Sequence, residues 1–389
     1  MSTLRTTAAT LLSCIFLLLA AQTCDEDTLR LIFEYCSDST VASAGRVCRG
    51  WATPAQRELF SVLPSNSPLR GAPRWKQLAM VLNSSPRLRS YIRRLQISPF
   101  NIEDLESYDW IRCLPPHGIT SLEAVAFPNE LVHTALGNLL LASPAFSTLR
   151  RLVICAMTLS DTPGLEASLS NNSSLEYLGL IFIGGFTRPP LSPSRFQTLS
   201  RLSIKARDMI PDIPNLIRAC SASLRRFDLA LTHRPDSGGY AWLSEALQNA
   251  PHLSHIHLDW AEPHPTPFLD GVVLLLPNLR HLHAGACLYT SAFFSDLPPA
   301  LETLHLRYDR IQGEGSRCSG VEEAYFPVAA AAVGLSALLT LRSFTLAPEK
   351  GCPYIHFPGL ARAAANGEFR FHLATPQRAP NENPDLFWE

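Results

Sequence analysis

LSHIHLDW, residues 253–260, sets the reading of the whole chain. Leu253, Ile256 and Leu258 hold the fixed places of an apolar frame, L-x-x-L-x-L, and the last two alternate with polar residues as in a half-buried strand. With other apolar residues allowed at those places, the frame occurs ten times. The copies are IRRLQI (92–97), LEAVAF (122–127), LRRLVI (149–154), LEYLGL (175–180) and LSRLSI (199–204). LRRFDL (224–229), LSHIHL (253–258), LRHLHA (279–284), LETLHL (301–306) and LRSFTL (341–346) follow. First positions therefore lie 22 to 30 residues apart, except for a last step of 40.

Steps of this size are similar to those of leucine-rich repeats. One such strand cannot bury its apolar face alone, so successive copies stack on one another. The expected fold is α/β: a leucine-rich-repeat solenoid over residues 64–374, with a curved parallel sheet and an irregular or helical convex side. Residues 75–85, 131–143, 240–250 and 321–339 carry helical patterns in the returns, while Pro211 and Pro214 predict irregular turns. The long last step contains YDRIQGEGSRCSG (308–320), which reads as an exposed loop. EFRFHLA (368–374) predicts one further strand, and the Pro- and Asn-rich residues 375–389 a flexible tail.

Composition narrows the function classes. The 389 residues carry a net charge of −1 with 17% charged side chains and no basic run, so no nucleic-acid partner is expected. Ten scattered cysteines without a C-x-x-C pair predict a reduced protein with no zinc site of ordinary spacing. The apolar run AATLLSCIFLLLAA (8–21) is shorter than the roughly 18 residues that span a bilayer, so no membrane partner is expected. Residues 1–24 read as a signal-like leader or a packed helix. The chain contains no G-x-S-x-G, phosphate-cradling glycine loop or H-E-x-x-H, and the expectation is a non-enzyme without cofactor.

Ahead of the repeats, residues 25–63 predict three short helices. Leu29, Ile32, Phe33 and Cys36 share one helical face. Asp38 and Ser39 are placed to cap a second helix carrying Val41, Ala44, Val47, Cys48 and Trp51. Thr53-Pro54-Ala55-Gln56 has the form of a capping box opening a third helix with Leu59, Phe60 and Leu63. So many apolar side chains exceed what about 39 residues enclose. Either a partner chain or the first repeats would cover the surplus.

LRLIFEYC, ASAGRVCRGW and TPAQRELF, taken in order, resemble the F-box of fungal F-box proteins, many of which continue into leucine-rich repeats. Cys24-Asp25-Glu26 stands where that family commonly opens with Leu-Pro. The resemblance implies a substrate receptor of a Skp-cullin-F-box ubiquitin ligase, within the ubiquitin-like conjugation pathway. Leu29, Ile32, Phe33, Val47, Cys48, Trp51, Leu59 and Phe60 would then form the F-box core and the contact with a Skp-type adaptor. The repeats would hold a client protein.

The client-facing residues follow from strand alternation. Those just before the second fixed position are Arg94, Ala124, Arg151, Tyr177, Arg201, Arg226, His255, His281, Thr303 and Ser343. Four arginines form a stripe suited to an acidic or phosphorylated client, because guanidinium groups fork onto carboxylate and phosphate oxygens. Two places on stand Asp228, His257, His283 and His305. Histidines spaced this way are candidates for zinc binding or for pH sensing, beside the plainer reading of a polar ladder without chemical consequence, and no metal ligand is assigned among them. The compartment expected is cytoplasmic or nuclear, with a secretory route open through residues 8–21. Two rival functions stand beside the ligase reading: a secreted recognition protein with a cleaved leader, and an intracellular scaffold whose F-box does not dock.

Overall fold

The computed structural model describes residues 25–63, 72–97, 109–125, 143–155, 174–181, 196–206, 212–232, 237–260, 267–309, 325–349, 352–367 and 369–374. The leader, the helical pattern at 131–142, most of the 308–320 loop and the tail lie outside them. Among the described residues twelve strands follow the chain order, and their described pairings are all parallel. The chain divides into two compact units, Met1–Leu152 and Val153–Glu389.

The described part of the first unit begins with helices α1 (Glu26–Glu34), α2 (Asp38–Ala44) and α3 (Arg49–Ser61). The Thr28 N–H donates to the Asp25 carboxylate at 2.7 Å, closing the start of α1, where Glu26 and Asp27 meet the positive end of the helix dipole. Ser37, rather than Asp38 or Ser39, caps α2 by accepting from the Thr40 N–H at 3.3 Å. The helix stops at Ala44, so Val47 and Cys48 lie in the turn that follows. The third helix begins at Arg49 and runs through Pro54, where the spacing predicts a new start.

Packing decides that difference. Trp51 and Ala55, four residues apart, face the same way and close a core with Leu29, Phe33 and Val41. The Phe33 and Trp51 rings meet edge to face at 5.9 Å. Burying Trp51 contributes roughly 2–3 kcal/mol and the ring pair about 1 kcal/mol. Together these offset the about 3 kcal/mol that a proline inside a helix costs. Thr53 and Gln56, placed by the sequence in a capping box, instead accept from the Arg87 guanidinium at 3.1 and 3.0 Å. Arg57 bridges Glu26 at 2.6 Å and lies over the Tyr91 ring at 5.5 Å. These contacts fix the helical module to the first repeat.

Strand β1 (Val62–Leu63) follows α3 without a break and pairs with β2 (Arg94–Ile97), after α4 (Ala72–Ser84) and the short α5 (Pro86–Arg89). The next strand, β3 (Ser121–Val125), places Leu122 opposite Leu95 and Ala124 opposite Ile97. The second repeat therefore begins at Ile119, three residues before the frame read from the sequence. Ile119, Leu122 and Ala124 are its buried set, and Ser121 takes the row position assigned to Ala124. Alanine at a fixed place hides the frame, and Phe127 supplies a false match. The strand β4 (Arg151–Cys155) comes next.

In the second unit the strands are β5 (Tyr177–Ile181), β6 (Arg201–Ala206), β7 (Arg226–Leu231), β8 (His255–Trp260) and β9 (His281–Ala284). They continue as β10 (Thr303–Tyr308), β11 (Ser343–Pro348) and β12 (Arg370–Leu373), the last being the strand anticipated at 368–374. Each fixed apolar residue of these frames, from Leu175 to Leu346, is buried. A recurrent backbone device sets the register. One carbonyl accepts two successive N–H groups of the next repeat: Ser200 O from Arg225 and Arg226, Arg225 O from Ser254 and His255, Ser254 O from Arg280 and His281. Each repeat is thus held in step before its strand begins.

The returns hold α6 (Asp212–Cys220), α7 (Ser237–Gln248), α8 (Leu269–Val272), α9 (Val328–Ser336) and α10 (Pro358–Asn366). Pro214 sits in the first turn of α6, where a missing N–H leaves no bond unmade, so it starts a helix rather than an irregular turn. Gly285, just past β9, has a specific task. Arg307 on β10 reaches past it to Asp259 on β8 at 3.0 Å and also meets Glu349 at 3.4 Å. A Cβ on Gly285 would stand 3.2 Å from Asp259 Oδ1. Gly285→Val is expected to push this half-buried pair apart and cost about 1–3 kcal/mol in urea denaturation, against less than about 0.5 kcal/mol for exposed Gly271→Ala.

Candidate recognition surfaces

The eight residues assigned to the F-box core and adaptor contact separate cleanly. Leu29, Phe33 and Trp51 are interior, and Leu59 packs against them. Phe60 is half-buried. Ile32, Val47 and Cys48 point to solvent, at 42% and 47% exposure for the first two. Sequence reasoning missed Leu31 and Tyr35, which are 54% and 91% exposed. Spaced i, i+1 and i+4, Leu31, Ile32 and Tyr35 form one apolar strip along α1 and the residue that closes it. The module thus completes its own core and still presents large apolar side chains.

In the second unit, register places the outward side chains in rows about 4.8 Å apart. One row runs Tyr177, Arg201, Arg226, His255, His281, Thr303, Ser343, Arg370. The next runs Gly179, Ser203, Asp228, His257, His283, His305, Thr345, His372. Arg94 and Arg151, the other members of the arginine stripe, belong to the first unit: Arg94 is exposed and Arg151 half-buried. Tyr177 does not project to solvent. It is buried with Val153 and Ile181, and its hydroxyl lies 3.2 Å from where a Cβ on Gly179 would stand. The missing side chain at position 179 is what admits the ring.

No protein-family model matches this chain. Comparison with curated proteins likewise finds no match.

The histidines form two face-to-face stacks. His255 lies on His281 at 4.0 Å, His257 on His283 at 4.0 Å, and His283 on His305 at 4.1 Å, with planes within 22° of parallel. Burial strips water from the charged ring and pushes His255, His257 and His305 down to about 4, aided by the positive charge of Arg226 or Arg307. The same burial lowers His281 and His283. The stacks are therefore neutral near pH 7, which suits their contact: like charges 4 Å apart would repel.

Stacking also bears on metal binding. Imidazole lone pairs lie in the ring plane, so parallel rings aim their nitrogens side by side rather than at one point. Among the described residues no group of three His, Cys, Asp or Glu is placed to hold a metal ion. His281 Nδ1 instead meets Thr303 Oγ1 at 2.7 Å, and His255 Nδ1 meets Ser254 Oγ at 2.9 Å. Nor, among the described residues, is any helix long and apolar enough to cross a membrane.

Proposed function

We propose that the chain is a non-enzymatic substrate receptor of a Skp-cullin-F-box ubiquitin ligase. The helical module docks a Skp-type adaptor, and through it a cullin. The parallel sheet, read as a leucine-rich-repeat solenoid, holds a client protein of acidic or phosphorylated character in the cytoplasm or nucleus. Catalysis is then positional: a client lysine is kept at high effective concentration near a separate conjugating enzyme.

The observation that carries this reading is the closed core beneath an open apolar strip. Leu29, Phe33, Val41, Trp51 and Ala55 satisfy one another, so Leu31, Ile32 and Tyr35 are not needed for folding. Exposed large apolar side chains grouped in this way mark a protein contact. The contacts of Arg57 with Tyr91 and of Arg87 with Thr53 and Gln56 would hold the adaptor end at a fixed distance from the first repeat.

Leu31→Asp with Ile32→Asp is expected to abolish capture by a purified Skp-type adaptor in a pull-down. Its unfolding midpoint stays near that of the parent, because surface changes are usually within about 0.5 kcal/mol. Full capture by this folded variant would refute adaptor docking through the strip.

A further inference from the structure

The return side of the second unit carries an apolar surplus that its own core does not use. Between β8 and β9, residues 272–276 are apolar without a break. The turn that follows α8 buries Val272, Val273 and Leu276, which leaves Leu274 and Leu275 facing solvent, the first of them 57% exposed. Helix α9 repeats the pattern. Val328, Ala331 and Leu335 face the core, while Val333 and, past the helix end, the fully exposed Leu339 do not. On α7, Trp242 is nearly half exposed. Five large apolar side chains thus project from three returns of one unit, and grouped exposure of this kind marks a contact surface.

Charge indicates what covers it. Residues 271–278, 284–295 and 325–340 contain no Asp, Glu, Lys or Arg, although the chain as a whole is 17% charged. Two ionic groups beside these stretches already have partners within the unit. Glu245 on α7 bridges Arg218 on α6 at 3.1 Å, and the Asp270 carboxylate accepts from the Thr290 N–H at 2.9 Å. A charged protein partner would bury its own ions unpaired against such a face. Helices that lie on a bilayer set Lys and Arg beside their apolar residues, and these stretches offer neither. A second copy meets no such conflict. Two-fold pairing sets a surface against itself, so that any charge meets its like, and these stretches bring none.

We infer that the second unit pairs with a second copy of this chain through Trp242, Leu274, Leu275, Val333 and Leu339. The fixed apolar residues of the strands point to the returns and the rows of arginine and histidine point away, so pairing leaves both sets of rows open. The inference stands apart from the ligase reading. In a ligase receptor it would join two client surfaces, and a client with two recognised segments would gain avidity. Five side chains per copy put the contact at the small end of specific interfaces, so a dissociation constant of about 10–100 µM is expected. Denaturation at about 1 µM therefore reads the monomer.

Sedimentation-velocity ultracentrifugation of the full chain tests this. The parent is expected to pass from monomer at about 1 µM to mainly dimer at about 300 µM. Leu274→Glu with Leu275→Glu, and separately Leu339→Glu, are each expected to weaken pairing more than tenfold while keeping the parental unfolding midpoint. Leu31→Asp with Ile32→Asp, in the first unit, is expected to pair as the parent does. A parent that stays monomeric at about 300 µM would overturn the inference. So would parental pairing by either folded return-side variant, or loss of pairing in the first-unit variant. Binding of the parent to uncharged phosphatidylcholine vesicles, lost with Leu274→Glu and Leu275→Glu, would assign the face to lipid and overturn it as well.

Discussion

Urea denaturation at pH 5 is expected to show the second unit several kcal/mol less stable than at pH 7. In the folded chain His257 and His305 hold their protons only below about pH 4, and His283 is lowered as well. In the unfolded chain each titrates near 6.5. Between those values the unfolded state binds more protons, so stability rises with pH and falls on acidification. It is fully present above about pH 7 and lost progressively towards pH 4. Each histidine that charges only on unfolding costs on the order of 2 kcal/mol between pH 7 and pH 5.

Asp228 and Asp259, whose carboxyls are raised by burial, act in the opposite sense and offset part of this loss. The positive charges of Arg226 and Arg307 further disfavour protons on the stacks. His257→Asn with His283→Asn removes two of the titrating rings and is expected to flatten the pH dependence, whatever it does to stability at pH 7. A stability that is level from pH 7 to pH 5 in the parent chain would contradict the neutral stacks.

The second large effect is expected from Phe326→Ala. Phe326 is fully buried and meets four other rings: Phe294 at 5.6 Å, Phe357 at 5.9 Å, and Tyr289 and Phe344 at 6.1 Å. These come from three stretches of the second unit, the segment after β9, strand β11 and the residue just before α10, so one truncation opens a cavity that no single element closes. The loss expected is about 3–5 kcal/mol in urea denaturation. Val333→Asp, nearby in sequence but 75% exposed on α9, is expected to change stability by less than about 0.5 kcal/mol. Comparable losses in both variants would mean that the rings do not form one cluster.

Phe326 also shows where sequence reading ends. It falls within the forty-residue step after Leu301, in a stretch given a helical pattern from 321 to 339. The helix runs only from Val328 to Ser336. No periodicity marks a residue whose partners arrive from other repeats. Tyr177 is similar: its place in the row was legible, but its burial depended on Gly179 beside it on the same face. The three-helix segment was foreseen as three helices, but Leu31 and Tyr35 were missing from its apolar residues. Which of them faced inward was not legible, because core and contact residues have the same chemistry.

Sequence alone determined every strand except β1, whose Leu63 it assigns to the third helix, together with nearly all of the fixed apolar positions and the rows of arginine and histidine. Strand alternation and a repeated frame are local properties, carried by each copy separately. Tertiary structure decided the start of the second repeat, the continuation of α3 through Pro54 and the division of the module into closed core and open strip. Those depend on which distant side chains a residue meets, and a buried tryptophan or a register-setting carbonyl outweighs the local signal of a proline or a leucine.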